Sequence, residues 1–305
     1  MAQKDSLFPN LNSNNNGVGN DKTELFDKQG NSRGFYSKKN RLNDLTGKEW
    51  QYWSKSVINK NYPVNFQHKL RNQHGGQKPP QLCADLIQIF TKKGMRVLDP
   101  FAGVGGTLLG ASLCDRKAVG IEINKKWADI YNQVCKLENL DLQDMRVGDS
   151  KELLKKEKEN TFDFILTDVP YWNMDKVSRS NGKFKKAGQE AKEKIQSNLS
   201  RFNFEVSQTK NEWLKDMENI FSLSLPLLKH NGYLAVFIGD MYRNGKYHFL
   251  SSDLADVIEK VGFTPKANLI WYDVSNKLQI YGYLYDFIPS MIHQNILIFK
   301  KQKTP

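Results

Sequence analysis

Asp168, Val169, Pro170, Tyr171 and Trp172 follow an apolar run from Phe162 to Leu166, and this short stretch has the make-up of an acceptor site. A carboxylate at a strand end can accept a hydrogen bond from an exocyclic amino group, and the backbone carbonyl of Val169 can accept a second. An amino nitrogen on an aromatic ring is a poor nucleophile because its lone pair is delocalised into the ring. Two acceptors that favour a pyramidal nitrogen localise that pair as an electrophile arrives, which stabilises the transition state by fixed dipoles. Pro170 stiffens the turn. Tyr171, with Trp172 beside it, can stack on a flat base, and a base in a duplex reaches such a pocket only when flipped out. The plainer alternative is an acidic turn with a core tyrosine.

Upstream, Asp99-Pro100-Phe101-Ala102-Gly103-Val104-Gly105-Gly106-Thr107 has the pattern of a strand, a glycine-rich turn and a helix start. Gly103, Gly105 and Gly106 allow backbone N–H groups to come close to a ligand. Glu122 stands 23 positions after Asp99, the spacing at which an acidic residue binds ribose hydroxyls. The turn is not G-x-G-x-x-G, and a carboxylate at Asp99 would repel a pyrophosphate. An acidic strand end suits a zwitterion with cationic groups, which points to S-adenosylmethionine with its ammonium and sulfonium. Asp149, at the end of a third strand, can accept from an adenine amino group. A purely structural glycine turn is the competing account.

These residues need a frame that brings strand ends together. From Gln81 the chain alternates helical and strand patterns. Leu82, Leu86, Ile89 and Phe90 recur at helical spacing, Arg96 to Leu98 reads as a buried strand, and a helix follows through Leu108, Leu109 and Leu113. Further strands are expected at Ala118 to Ile121, Met145 to Val147, Phe162 to Thr167, Tyr233 to Ile238, Asn268 to Tyr272 and Asn295 to Phe299, with helices at 126–137, 212–228 and 252–261. Strands alternating with helices give an α/β fold on a parallel sheet. The main domain is expected over 81–302, interrupted by a polar, basic insertion at 173–211. Residues 1–40 are rich in Asn, Gly and Ser and read as a disordered arm, while 41–80, with Trp50, Tyr52 and Trp53, read as a segment docked on the domain.

The chain has 305 residues, enough for one large domain with appendages, and 45 Lys and Arg against 33 Asp and Glu give a formal charge of +12. Such an excess suits a polyanionic partner; a Lys-rich surface tuned for solubility is the alternative. Cys83, Cys114 and Cys135 lack the paired spacing of a zinc site or disulfide framework, which fits a reducing cytoplasmic setting. The start of the chain has no apolar leader, and no run of eighteen apolar residues occurs, so no membrane association is expected.

Together the motifs resemble the amino-methyltransferases that modify DNA at adenine N6 or cytosine N4. The likeness covers about residues 42–301. Asp99 to Thr107 resembles the first cofactor motif of that family, with Phe101, Gly103, Gly105 and Thr107 among its contacts; Glu122 and Asp149 match the second and third. Asp168 to Tyr171 resembles the catalytic [D/N/S]-P-P-[Y/F/W] motif. His74-Gly75-Gly76-Gln77-Lys78-Pro79 is similar to the segment that closes over the methionine end of the cofactor, which implies roles for His74, Lys78 and Pro79. Asn43 to Trp50 and His293 to Lys300 also resemble parts of bacterial DNA modification enzymes.

The resemblance implies a Rossmann-like class I methyltransferase fold: a seven-stranded sheet, six strands parallel and the last antiparallel. It implies S-adenosylmethionine as cofactor, DNA as partner and no metal. Adenine N6 is favoured over cytosine N4, because cytosine enzymes more often carry Ser where this chain has Asp168. Two features depart from the family. Val169 replaces the first Pro, which keeps the backbone carbonyl and loses only the fixed φ. The cofactor motifs also precede the catalytic one without a long insert between them, so recognition is expected from the N-terminal segment or from 173–211. There Lys176, Arg179, Lys183, Lys185 and Lys186 could contact phosphates, with a solvated lid as the alternative. Rival functions are amino-methylation of RNA guanine N2 or protein glutamine, and a catalytically inactive nucleic-acid-binding protein. A restriction endonuclease partner fits the resemblance, and the oligomeric state is left open.

Overall fold

In the computed structural model the described residues are 21–27, 29–172, 208–243, 245–273, 278, 280 and 284–302. In chain order they form β1 (Lys22–Phe26), β2 (Ser32–Ser37), α1 (Gly47–Trp53), β3 (Val57–Ile58), α2 (His68–Arg71), α3 (Pro80–Phe90), β4 (Arg96–Asp99), α4 (Gly106–Leu113), β5 (Lys117–Glu122), α5 (Lys125–Leu137), β6 (Asp144–Val147), α6 (Ser150–Leu153) and β7 (Phe162–Asp168). Then come α7 (Lys210–Leu227), β8 (Leu228–Ile238), β9 (Met241–Arg243), β10 (Lys246–His248), α8 (Leu250–Val261), β11 (Thr264–Tyr272) and β12 (His293–Lys300).

The main sheet runs β3-β11-β12-β8-β7-β4-β5-β6. Six strands (β4 to β8 and β11) point the same way and β12 runs against its neighbours β8 and β11. This is the expected seven-strand frame. The structure adds an eighth member, the two-residue β3, which pairs in parallel with β11 through Val57 and Ile58.

The strands read as near-continuous apolar runs because both faces are covered. Alternate residues enter two cores. Val97, Ala118, Phe164, Leu166, Ala235 and Phe237 pack with α3, α4 and α5 on one face. Leu98, Val119, Ile165, Leu234 and Val236 pack with α7 and α8 on the other. A one-residue slip would exchange the two sets, so burial pins the register. Helix starts are locally encoded: Thr209 and Glu212 form a capping box at α7, and Asn124 accepts from the Lys126 N–H at 3.0 Å to start α5. Cys83, Cys114 and Cys135 are buried free thiols. Among the described residues no helix is long and apolar enough to cross a membrane.

The arm expected at 1–40 needs correction within its described part, because β1 and β2 form an antiparallel hairpin. Polar contacts hold it. Asp27 Oδ1 accepts from the N–H groups of Gln29 and Asn31 at 2.9 and 2.8 Å, and Arg33 makes a forked pair with Glu49 of α1 at 2.8 and 3.0 Å. A composition argument based on apolar burial misses such a hairpin. In the segment that follows, the Asn43 side-chain amide donates to the Ile89 carbonyl at 2.7 Å and β3 caps the sheet edge.

Candidate active site

Strands β4, β5, β7 and β8 all end at one edge of the sheet. The connections from β4 and β7 leave it in opposite lateral directions, which opens a crevice there. A cavity of about 360 Å³ fills it, lined by Asp99, Phe101, Gly103, Thr107, Glu122 and Asp149 on one side and by Asp168, Val169, Pro170 and Tyr171 on the other. The two motif groups read from sequence therefore share one space.

On the first side the turn after β4 folds back over β5. The Gly103 N–H donates to Glu122 Oε2 at 2.9 Å and the Asn124 N–H donates to Oε1 at 2.8 Å. Burial pushes the Glu122 carboxyl up to about 7, against these hydrogen bonds. Asp99 Oδ1 accepts from the Phe101 N–H at 3.0 Å and from the Thr167 hydroxyl at 2.7 Å, and burial moves its carboxyl up to about 6. Asp149 caps α6 by accepting from the Lys151 N–H at 2.8 Å and lines the cavity. His74 meets the Trp127 ring edge-on at 5.2 Å and sits over Gly103, where a Cβ would come within 3.2 Å of its Nε2.

On the second side Tyr171 accepts at its hydroxyl from Gln294 Nε2 at 2.9 Å, and burial raises its phenol well above the ordinary value, with Asp168 adding to the effect. The Pro170 carbonyl accepts from the Trp213 indole at 2.7 Å, which ties the motif to α7. Val169 is buried. Asp168 Oδ2 pairs with Lys78 Nζ, while Asp168 Oδ1 is buried without a hydrogen-bond partner. Burial raises the Asp168 carboxyl and Lys78 opposes that shift.

Several expected placements change. Lys78, expected from sequence at the cofactor, lines the cavity and points its Nζ at the Asp168 carboxylate, while its carbonyl is held by Arg71 at 2.7 Å just before α3 begins. Pro79 caps α3 and lines a neighbouring cavity, not the main one. Gly105 lies behind the wall, starting α4 at φ +76°. Trp172 is also outside the cavity: its indole donates to the Gln208 carbonyl at 2.8 Å, and the Arg243 guanidinium lies 5.2 Å over its ring. Lys176, Arg179, Lys183, Lys185 and Lys186 lie outside the described residues. Sequence reasoning missed Gln294, Phe237 and Ile220 as cavity wall. Gln294 lies in the family-like stretch opening β12, but nothing local marks it as facing Tyr171.

An open parallel sheet closed by one antiparallel strand, with acidic strand ends around a glycine turn, defines a Rossmann-like class I methyltransferase fold. Residues 9–133 and 162–305 match the DNA methylase family, and the chain belongs to it. Similar proteins include the orphan methyltransferase M.BamHII of Bacillus amyloliquefaciens, 40% identical over 68 residues that make up 22% of this chain and 26% of that protein. The tRNA (guanine(10)-N2)-dimethyltransferase of Pyrococcus abyssi is 32% identical over 95 residues, 30% of this chain and 28% of its own. The type II methyltransferase M.HindIII of Haemophilus influenzae is 45% identical over 69 residues, 23% of this chain and 21% of its own. The matched part thus spans between a fifth and a third of each relative's length.

The family's cofactor is S-adenosylmethionine. The chemistry of the cavity fits it: two buried carboxylates, Asp99 and Glu122, line it as acceptors, and the Gly103 turn brings backbone close beside them.

Proposed function

We propose that the protein methylates the exocyclic amino group of a base flipped out of DNA, adenine N6 in preference to cytosine N4. The observation that carries the reading is the buried Oδ1 of Asp168 on the cavity wall, which makes no well-formed hydrogen bond although the Tyr171 hydroxyl lies beside the carboxylate. A buried oxygen in that state costs free energy unless a ligand supplies the hydrogen bond.

Bound S-adenosylmethionine would supply a methyl group activated by a sulfonium. The residues do the rest. Asp168 Oδ1 and the Val169 carbonyl accept the two amino hydrogens and turn the nitrogen lone pair toward the donor. The Tyr171 ring, held by Gln294, offers a face on which the base stacks. The amino nitrogen, methylated there, would release one proton to water, so that the product amine leaves neutral. Asp99, Glu122 and Asp149 would hold the donor, with His74 closing the turn side.

The test is transfer of labelled methyl groups to unmethylated bacterial DNA, followed by long-read sequencing of DNA from an expressing host to give base and motif. Asp168→Ala should abolish transfer; retained activity would remove the assigned role. Matches to tRNA guanine-N2 dimethyltransferases support a second reading in which the acceptor is an RNA guanine. Labelling of tRNA but not DNA would establish it. An endonuclease partner and the oligomeric state are to be sought alongside, by co-expression and by sedimentation.

A further inference from the structure

The catalytic-motif carboxylate is gripped by a lysine from a different part of the chain. Lys78 is 7% exposed, and its Nζ meets Asp168 Oδ2 while lying 5.3 Å from the centre of the Phe237 ring. The backbone at Lys78 is pinned, because its carbonyl accepts from the Arg71 guanidinium at 2.7 Å and Pro79 and Pro80 follow. The side chain is therefore aimed by its support and not left to search.

We propose that Lys78 is a positioning residue of the acceptor half-site: it clamps Oδ2 of Asp168 so that Oδ1 alone is presented to the incoming amino group. The inference rests on the reading of Asp168 as the amino-group acceptor. Its physical basis is charge. Burial strips a carboxylate of its hydration, and an opposite charge beside it favours the ionised form. The other titratable groups acting with Asp168 are Asp99 on β4, Cys83 on α3 and Tyr171, and none of them supplies a positive charge. Without Lys78 the carboxyl would take up a proton at higher pH. It could then turn an O–H toward the amino group, where an acceptor is needed.

Asp168 also has freedom about its side-chain bonds. A clamp on one oxygen removes that freedom before the base arrives, so ordering is not required at the moment of reaction. The short segment 74–78, which also lines the donor side of the cavity, thereby touches both halves of the site.

The experiment uses the full chain and compares wild type with Lys78→Met, Lys78→Gln and Lys78→Arg. Carboxyl carbon resonances of 13C-labelled aspartate, with Asp168 assigned through Asp168→Asn, follow its protonation, while calorimetry follows S-adenosylmethionine binding. Both neutral variants should move the Asp168 midpoint up by about one pH unit or more. They should shift the acidic limb of the kcat profile the same way and lower kcat at neutral pH by on the order of 10²-fold. Lys78→Arg should restore the midpoint and the limb, and cofactor affinity should hold in all three. An unmoved midpoint in a folded neutral variant would overturn the proposal, as would loss of cofactor affinity with the midpoint unchanged. Wild-type protein that methylates neither DNA nor RNA would overturn the acceptor reading itself, a result distinct from an unmoved midpoint.

Discussion

At the scale of single residues, the donor side carries a conflict between stability and binding. The Asp99 and Glu122 carboxyls titrate at about 6 and about 7 in the folded protein, above their ordinary values of 3.8 and 4.5. Because the folded values are raised, the stability tied to these groups is fully present below about pH 4 and is lost as pH rises through about 6 and about 7. The ligand-free protein should melt at a lower temperature at pH 8 than at pH 5, and Glu122→Gln should flatten that decline. Cofactor affinity should run the other way and increase through the same window, since a cationic ligand favours the ionised carboxylates; isothermal titration against pH checks both signs. On the acceptor side, Tyr171→Ala should weaken acceptor binding by about 1–3 kcal/mol through lost stacking. Tyr171→Phe, which keeps the ring and loses the hydroxyl contacts with Gln294, Asp168 and the Gly239 backbone, should cost less, measured as KM for an oligonucleotide.

At the scale of elements, the turn between β4 and α4 tolerates little. A Cβ on Gly105 would stand 2.2 Å from the Tyr131 ring, and φ is +76°. Gly105→Ala should destabilise the protein by ~2–3 kcal/mol in urea unfolding, although the residue does not line the cavity. The β1–β2 hairpin hangs on Arg33 and Glu49, both partly exposed, so Arg33→Ala should cost about 1 kcal/mol or less globally. It should also speed amide exchange in the hairpin. The contrast marks what sequence can reveal. Val97, Phe164 and Phe237 announce their strands because burial on two faces leaves a run of apolar types, and Asp99, Glu122 and Asp168 announce the strand ends. The partners of Lys78 and Gln294 are not announced, because they lie 90 and 123 positions away and are chosen by side-chain direction in the folded state. Trp172 next to Tyr171 in sequence suggests stacking on a base, yet its neighbours Gln208, His248 and Arg243 are met only after folding.

At the scale of the whole molecule, a formal charge of +12 acts on a polyanion from a distance. Nucleic-acid affinity should fall steeply with salt. Replacing Lys183, Lys185 and Lys186 by Ala should reduce the slope of log affinity against log salt by about 0.9 for each phosphate no longer neutralised; an unchanged slope in filter-binding titrations would remove 173–211 from the nucleic-acid surface. On the side of Asp168 the chain leaves the shared strand-end edge after β7, β8 and β11, and β12 starts at that edge with His293 and Gln294. The two packed faces of the sheet admit almost no variation, whereas none of the described loop residues between β8 and α8 or between β11 and β12 is buried. Those two loops can therefore change, or be grafted, without disturbing the strand ends that carry Asp99, Glu122 and Asp168.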